Sequence, residues 1–263
     1  MSRKLVDEIK NKGIVRINNF LDPHETKRIS NLIKYYSVPK DHPESYFPTH
    51  IGTLSLKILK LNFTKFFHSL QIWQLEREKR LRDLANNFFE KKTKLSCIDA
   101  YYSKISTREI LPWHTDQAYS GKVNVKNFNN PNNYFLKIFI YLSDVGPNNG
   151  CMSYVPESHK IGYAIRKAIY ENKIKYQPYW SLEDFKKIIK DNQSYFNNYF
   201  NDKNLLKNFM TKTNDLEIDK SENNFSYEAG AGTAIIFDEG GVHRGSKPQL
   251  NDRMVLRYLY CIK

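Results

Sequence analysis

The 263-residue sequence has only three cysteines, no CxxC pair and no long apolar run. Cys97, Cys151 and Cys261 are too few and too scattered for a disulfide framework or a cysteine zinc site, and we expect them to be small buried residues. No apolar segment approaches the roughly 20 residues that a membrane helix needs. The first ten residues are charged throughout and lack the apolar segment of a secretion signal. We therefore expect a cytoplasmic protein with no membrane partner.

Positive charge, by contrast, is abundant. Lysine and arginine total 41 against 28 acidic residues, which gives a net charge of +13. Such a charge would suit a nucleic-acid or phosphate partner. The basic residues are nevertheless spread along the chain, and asparagine, lysine, isoleucine, tyrosine and phenylalanine are overused together, as in an AT-rich coding sequence. We interpret the charge as solvated surface lysines and expect no nucleic-acid partner.

The length and the 40% apolar content suit one domain with a full hydrophobic core, and we predict a single domain over residues 1–263. Apolar periodicity and capping residues predict helices, separated by a proline-rich loop at 38–52. The predicted helical segments are residues 2–11, 23–36 and 61–89. Within the domain we expect a mainly helical flank at 1–95, a β core at 96–159 and 225–263, and an insertion or lid at 160–224.

The β core is predicted from short runs rich in tyrosine, phenylalanine, isoleucine and valine. These runs are residues 96–105, 135–142, 152–155, 234–237 and 253–262, and residues 13–21 add an earlier strand. Asn148-Asn149-Gly150 predicts a β-hairpin between the second and third of these runs. Helices followed by an interrupted antiparallel series predict an α+β fold around a jelly-roll-like barrel.

The first candidate for chemistry is His114-Thr115-Asp116. Residues two apart on a strand point to the same side, so the imidazole and the carboxylate can bind one ion. A second His-x-acid match, His42-Pro43-Glu44, lies in the proline-rich loop, and we interpret it as chance. Further along, His243 follows the apolar strand at 234–237. Two imidazoles and one carboxylate on one face of an ion form the facial triad of non-haem Fe(II) sites, which leaves three positions open.

Arg253 follows His243 by ten residues. If the chain reverses near residues 246–250, antiparallel pairing places Arg253 opposite His243, beside the metal pocket. A guanidinium there could bind the far carboxylate of a 2-oxo acid through two hydrogen bonds, which lysine cannot reproduce. Arg257, four residues further along the same strand face, is the alternative for this role.

Three segments of the chain resemble the phytanoyl-CoA dioxygenase family of Fe(II)/2-oxoglutarate oxygenases. They read LPWHTDQ (111–117), YLSDVGPNNGCMSYVPESHK (141–160) and GTAIIFDEGGVHRGSKPQLNDRMVLRYLY (232–260). The resemblance implies a double-stranded β-helix of the jelly-roll or cupin type. It also implies Fe(II) bound by His114, Asp116 and His243, and 2-oxoglutarate held by Arg253. Phe139 stands where the family often has tryptophan and is expected to line the co-substrate.

This resemblance implies a dioxygenase that uses Fe(II), 2-oxoglutarate and O2 to hydroxylate an unactivated C–H bond of a small molecule. Trp113, Tyr101, Tyr102 and Lys104 are candidate substrate-lining residues, although strand alternation lets only one of the two tyrosines point inward. Two alternative functions stay open: a nucleic-acid dealkylase on the same iron core, and a non-oxidative metal-binding barrel that uses the same three ligands.

Overall fold

The computed structural model describes residues 3–36, 63–107, 110–116, 134–176, 180–214 and 225–263. The loop expected at 38–52, and with it the His42-Pro43-Glu44 match, lies outside these residues. Every helix in the described segments is too short or too polar to cross a bilayer.

Four helices lie in the described part of the N-terminal flank. They are α1 (Arg3–Lys12), α2 (Pro23–Tyr36), α3 (Phe63–Glu78) and α4 (Leu81–Phe89). A capping box starts α2: the Asp22 carboxylate accepts from the Glu25 backbone N–H at 2.7 Å, and the Glu25 carboxylate accepts from the Asp22 N–H at 3.0 Å. The helical region predicted at 61–89 is divided in two because Arg80 adopts a left-handed conformation, with φ of 53°.

Nine described strands form two antiparallel sheets. They are β1 (Ile14–Ile17), β2 (Thr93–Ser103), β3 (Leu111–His114), β4 (Phe135–Tyr141), β5 (Met152–Tyr154), β6 (Ser226–Tyr227), β7 (Ala234–Asp238), β8 (His243–Gly245) and β9 (Arg253–Ile262). The larger sheet has the order β1-β7-β4-β9-β2, and the smaller has the order β3-β8-β5-β6. The predicted α+β class with a jelly-roll core is confirmed.

Two apolar clusters explain why the sheets lie where they do. One joins helices α1–α4 to the outer side chains of the larger sheet, such as Ile98, Ile138 and Leu256. The other contains side chains from both sheets, among them Phe237 and Val255 of the larger sheet and Tyr154 of the smaller one. The second cluster is therefore the interior of the jelly roll, where alternate residues of each strand meet.

A helical segment interrupts the strand series after β5. Its helices are α5 (Ser158–Tyr170), α6 (Leu182–Asp191), α7 (Gln193–Tyr199) and α8 (Lys203–Thr213). A capping box between Ser181 and Asp184 starts α6. The apolar faces of these helices form a third cluster, which also includes Trp113 next to the metal motif. Helices thus occupy much of the predicted insertion at 160–224, and its role as a lid stays a prediction.

The hairpin predicted at Asn148-Asn149-Gly150 is wrong. Strand β4 pairs with β7 and β9, whereas β5 pairs with β6 and β8 in the other sheet. The turn itself forms, with the Asn149 N–H donating to the Gly146 carbonyl at 2.9 Å, but it carries the chain from one sheet to the other. An Asn-Gly signal specifies a turn and leaves open which strands the turn connects.

Candidate metal centre

His114, Asp116 and His243 converge at one place in the barrel. His114 ends β3, His243 begins β8, and these two residues are directly opposite each other in the smaller sheet. Nε2 of His243 lies 3.0 Å from Oδ2 of Asp116, and Nε2 of His114 lies 3.6 Å from Oδ1. One candidate ligand atom from each of the three residues falls within 4.8 Å of the others. The strand pairing brings together residues that are more than a hundred positions apart.

Backbone carbonyls orient both imidazole rings. Nδ1 of His114 lies 2.6 Å from the Pro112 carbonyl oxygen, and Nδ1 of His243 lies 2.8 Å from that of Gly241. A carbonyl can only accept, so each Nδ1 must carry the proton and donate it. The lone pair of each Nε2 is then available on the side facing Asp116. Metal-ligating histidines characteristically make this hydrogen bond, so the donor set fits a divalent metal ion.

The charges at the site also suit a metal ion. Burial opposes ionisation of Asp116, but the positive charge of Lys137, followed by the two neighbouring histidines, outweighs it and holds the pKa of Asp116 well below its usual range. Burial, followed by the proximity of His114, lowers the pKa of His243. An ionised carboxylate beside a neutral imidazole is the protonation state that binds metal.

The three residues line a cavity of about 250 Å³ between the two sheets. Phe139 of β4, Tyr101 of β2 and Met152 of β5 also line it. The rings of Tyr101 and Phe139 lie 6.4 Å apart. Candidate ligands at one side and aromatic side chains in the walls make a pocket suited to a small molecule.

Arg253 also lines this cavity, although not in the way the sequence predicts. The expectation that Arg253 lies opposite His243 is wrong, because β8 belongs to the smaller sheet and β9 to the larger one, where Arg253 is opposite Ser103. Arg253 reaches the pocket from the facing sheet instead. It is 3% exposed, and its guanidinium lies 5.6 Å from the centre of the Tyr141 ring. Among the described residues, its Nε has no hydrogen-bond partner.

Arg257, the alternative, lines the same cavity but is already paired. Its Nε donates to Oδ1 of Asp99 at 2.7 Å, and its Nη2 donates to Oδ2 of the same carboxylate. This is the two-point arrangement that binds a guanidinium most strongly. Burial lowers the pKa of Arg257, but the Asp99 carboxylate raises it by more, so the net shift is upward.

The candidate substrate-lining residues separate into two groups. Tyr101 lines the cavity, whereas Tyr102 packs against the core under the N-terminal helices. Trp113 is buried against the insertion helices, with the Arg244 guanidinium 5.0 Å from its ring. Among the described wall residues of this cavity, neither Trp113 nor Lys104 is present. Strand alternation explains the result, because Tyr101 and Tyr102 point to opposite faces, as do Trp113 and His114.

Lys137 is the functional candidate that sequence reasoning missed. It lies on β4, two residues before Phe139, and is 7% exposed. Its ammonium group pairs with Asp116 and lies 3.5 Å from Oε2 of Glu239. Burial raises the pKa of Glu239 to about 7. Strand alternation could have predicted Lys137, because it lies two positions before Phe139 and so points to the same side of β4.

A family model described as phytanoyl-CoA dioxygenase (PhyH) matches residues 9–253. A search of the curated proteins finds no match.

Solved structures give many matches at low sequence identity. HygX from Streptomyces hygroscopicus, solved with nickel, 2-oxoglutarate and hygromycin B, is 12% identical with a TM-score of 0.56, over 100% of this chain and 88% of HygX. The epimerase SnoN of nogalamycin biosynthesis, solved with Fe3+, α-ketoglutarate and nogalamycin RO, is 13% identical with a TM-score of 0.55, over 98% of this chain and 82% of SnoN. EvdO2 from Micromonospora carbonacea var. aurantiaca, solved with 2-oxoglutarate, is 12% identical with a TM-score of 0.54, over 100% and 91%. These likenesses show a shared fold.

Proposed function

The chain belongs to the phytanoyl-CoA dioxygenase family, and we propose that it is an Fe(II)/2-oxoglutarate-dependent dioxygenase that hydroxylates an unactivated C–H bond of a small molecule. The observation that carries the proposal is the convergence of two imidazoles and one carboxylate within 4.8 Å. A buried arginine in the same cavity adds to it. The family's dependence on iron and 2-oxoglutarate gives each of these groups a role.

His114, Asp116 and His243 would hold the Fe(II) ion. With three protein ligands, the ion would keep further coordination positions for 2-oxoglutarate and dioxygen. When bound, iron and 2-oxoglutarate supply the oxidising chemistry. The protein's part is to orient the groups, and the hydrogen bonds from both Nδ1 atoms to backbone carbonyls do so before any metal arrives.

Arg253 would bind the far carboxylate of 2-oxoglutarate. Both arginines of β9 line the cavity, but Asp99 already occupies the hydrogen-bonding edge of Arg257. Arg253 has no carboxylate ion pair among the described residues and is buried, so a dicarboxylate would gain a charge-assisted contact there. Phe139 and Tyr101 would form the apolar walls that exclude water from the reacting groups.

Asp116 favours hydroxylation over halogenation. The halogenating relatives in this family lack the metal carboxylate, whereas Asp116 lies in the ligand cluster of this chain. Two of the similar folds belong to an epimerase and a carbocyclase, SnoN and SnoK. Hydroxylation is therefore tested by the product, which must gain one oxygen atom.

The decisive experiment starts with protein loaded with Fe(II) without oxygen. Adding 2-oxoglutarate should produce a visible metal-to-ligand charge-transfer band, and admitting air should convert 2-oxoglutarate to succinate and carbon dioxide. Absence of both signals rejects the proposal. Tight metal binding without 2-oxoglutarate turnover would instead identify a non-oxidative metal-binding barrel, and salt-sensitive DNA or RNA binding would favour the nucleic-acid dealkylase.

A further inference from the structure

The turn at residues 146–150, here called the crossover turn, does more than connect β4 to β5. It lies against the segment that leads into β9. The Gly150 N–H donates to the Lys247 carbonyl at 3.0 Å, and Oδ1 of Asn149 accepts from the Asn251 N–H at 2.9 Å. Asn149 is 5% exposed and Gly150 is buried. The crossover turn is thus fixed to the chain just before Arg253.

Gly150 touches Arg253 itself. A Cβ built on Gly150 would lie 2.5 Å from Cδ of Arg253 and 3.3 Å from both its Cβ and its Cγ. The first distance is far below a van der Waals contact, so any side chain at this position would displace the arginine stem. Gly150 also has φ of +73°, a conformation in which glycine is favoured for a second reason.

The distal end of the same arginine lies over Tyr141. The guanidinium is 5.6 Å from the ring centre, and the Tyr141 hydroxyl accepts from the Met152 N–H at 3.1 Å. Tyr141 is therefore fixed by the strand that follows the crossover turn. The stem of Arg253 passes across Gly150, and its guanidinium lies on a ring that is held in place, so little freedom is left to this side chain.

We propose that Gly150 is a positioning residue for the 2-oxoglutarate clamp. The absence of a side chain at 150 sets the path of the Arg253 stem and so the orientation of the guanidinium in the cavity. The inference rests on the proposed function, in which Arg253 receives the far carboxylate. It also gives the Asn148-Asn149-Gly150 motif a role in place of the hairpin.

The test measures binding rather than turnover. Wild type and Gly150→Asn are loaded with Ni2+ and titrated with 2-oxoglutarate in a calorimeter. Asparagine tolerates positive φ, so this substitution adds a Cβ with little backbone strain. Because a displaced guanidinium would lose its charge-assisted two-point contact with the carboxylate, we expect 2-oxoglutarate affinity to fall about tenfold or more. Ni2+ affinity and the thermal midpoint should stay close to those of wild type.

Two controls separate positioning from a general structural effect. Gly146 lies in the same turn, and a Cβ there would meet no atom within 4 Å, so Gly146→Ala should bind 2-oxoglutarate as wild type does. In an Arg253→Ala background, Gly150→Asn should cause no further loss, since its effect acts through the arginine.

Each outcome has one meaning. If wild type does not bind 2-oxoglutarate, the proposed function itself fails. If wild type binds 2-oxoglutarate and Gly150→Asn binds it equally well, the positioning role is overturned and the proposed function stands. The same holds if Gly150→Asn weakens binding further in the Arg253→Ala background. Unfolding of Gly150→Asn, or an equal loss in Gly146→Ala, also overturns it, because the proposal requires the arginine stem to move while the turn stays intact.

Discussion

The two arginines that β9 contributes to the cavity wall have different partners. Arg253 and Arg257 lie on one strand, share one face and line one cavity. Asp99 neutralises Arg257 through two hydrogen bonds, whereas Arg253 lies over Tyr141 with no carboxylate partner among the described residues. A buried guanidinium without an anion is costly unless a ligand supplies one. We therefore expect Arg257 to stabilise the fold and Arg253 to bind an anionic ligand.

The largest loss of activity should come from removing the Asp116 carboxylate. Neither arginine can support turnover if the metal is not bound. Asp116→Ala should abolish 2-oxoglutarate turnover, a loss of more than about 100-fold, since even the partners that orient metal ligands are worth 10–100-fold. Succinate formation and Ni2+ affinity measure this. Asp191→Ala, on an exposed part of α6, is the matched control and should leave both unchanged. Full turnover in Asp116→Ala would show that Asp116 is not a ligand of the metal.

Conservative substitutions test directly whether Arg253 and Arg257 have different roles. Arg253→Lys should raise the KM for 2-oxoglutarate about tenfold with a smaller change in kcat, because an ammonium cannot make the two-point contact. Arg257→Lys should change that KM less than about threefold. Steady-state kinetics with varied 2-oxoglutarate provide the measurement. The opposite ranking would assign the clamp to Arg257.

For the free energy of unfolding we expect the opposite order, with the larger loss on substitution of Arg257. Arg257→Met leaves Asp99 buried without its cation, which costs about 3 kcal/mol of unfolding free energy, whereas Arg253→Met leaves no such carboxylate and should cost far less. Urea unfolding of the metal-free protein measures both variants. The double variant Asp99→Leu/Arg257→Met should recover most of the loss, and a double variant as unstable as Arg257→Met would remove the ion pair from the explanation.

The smallest expected effect concerns Glu239, which lies beside Lys137 at the cavity, and it depends on pH. Burial raises the pKa of Glu239 from 4.5 to about 7. The folded state therefore binds this proton more tightly than the unfolded state between these values. Its contribution to stability is full below pH 4.5 and is lost as the pH rises through 7. Metal-free Glu239→Gln should flatten the fall in stability over this window, and an unchanged slope would contradict the assignment.

Features set by neighbouring residues could be predicted from the sequence, whereas contacts between distant residues could not. The capping box that starts α2, the bounds of β9 and the alternation that separates Tyr101 from Tyr102 follow from neighbouring residues. The partners of β4 and β5 did not follow, because the hairpin signal encodes a turn rather than the strands it connects. Lys137 could have been found by extending the alternation at Phe139 by two residues. Its pairing with Glu239 required the folded chain.

The sequence alone determined which chemical groups were available: two histidines and an aspartate at positions typical of an iron site, and two arginines on one strand. Local hydrogen bonding and side-chain alternation fix such features within a few residues. The tertiary structure decided that Arg253 approaches from the sheet opposite His243, that Asp99 engages Arg257, and that Gly150 makes room for the arginine stem. These contacts join segments from different parts of the sequence, and only packing of the two sheets into one barrel brings them together.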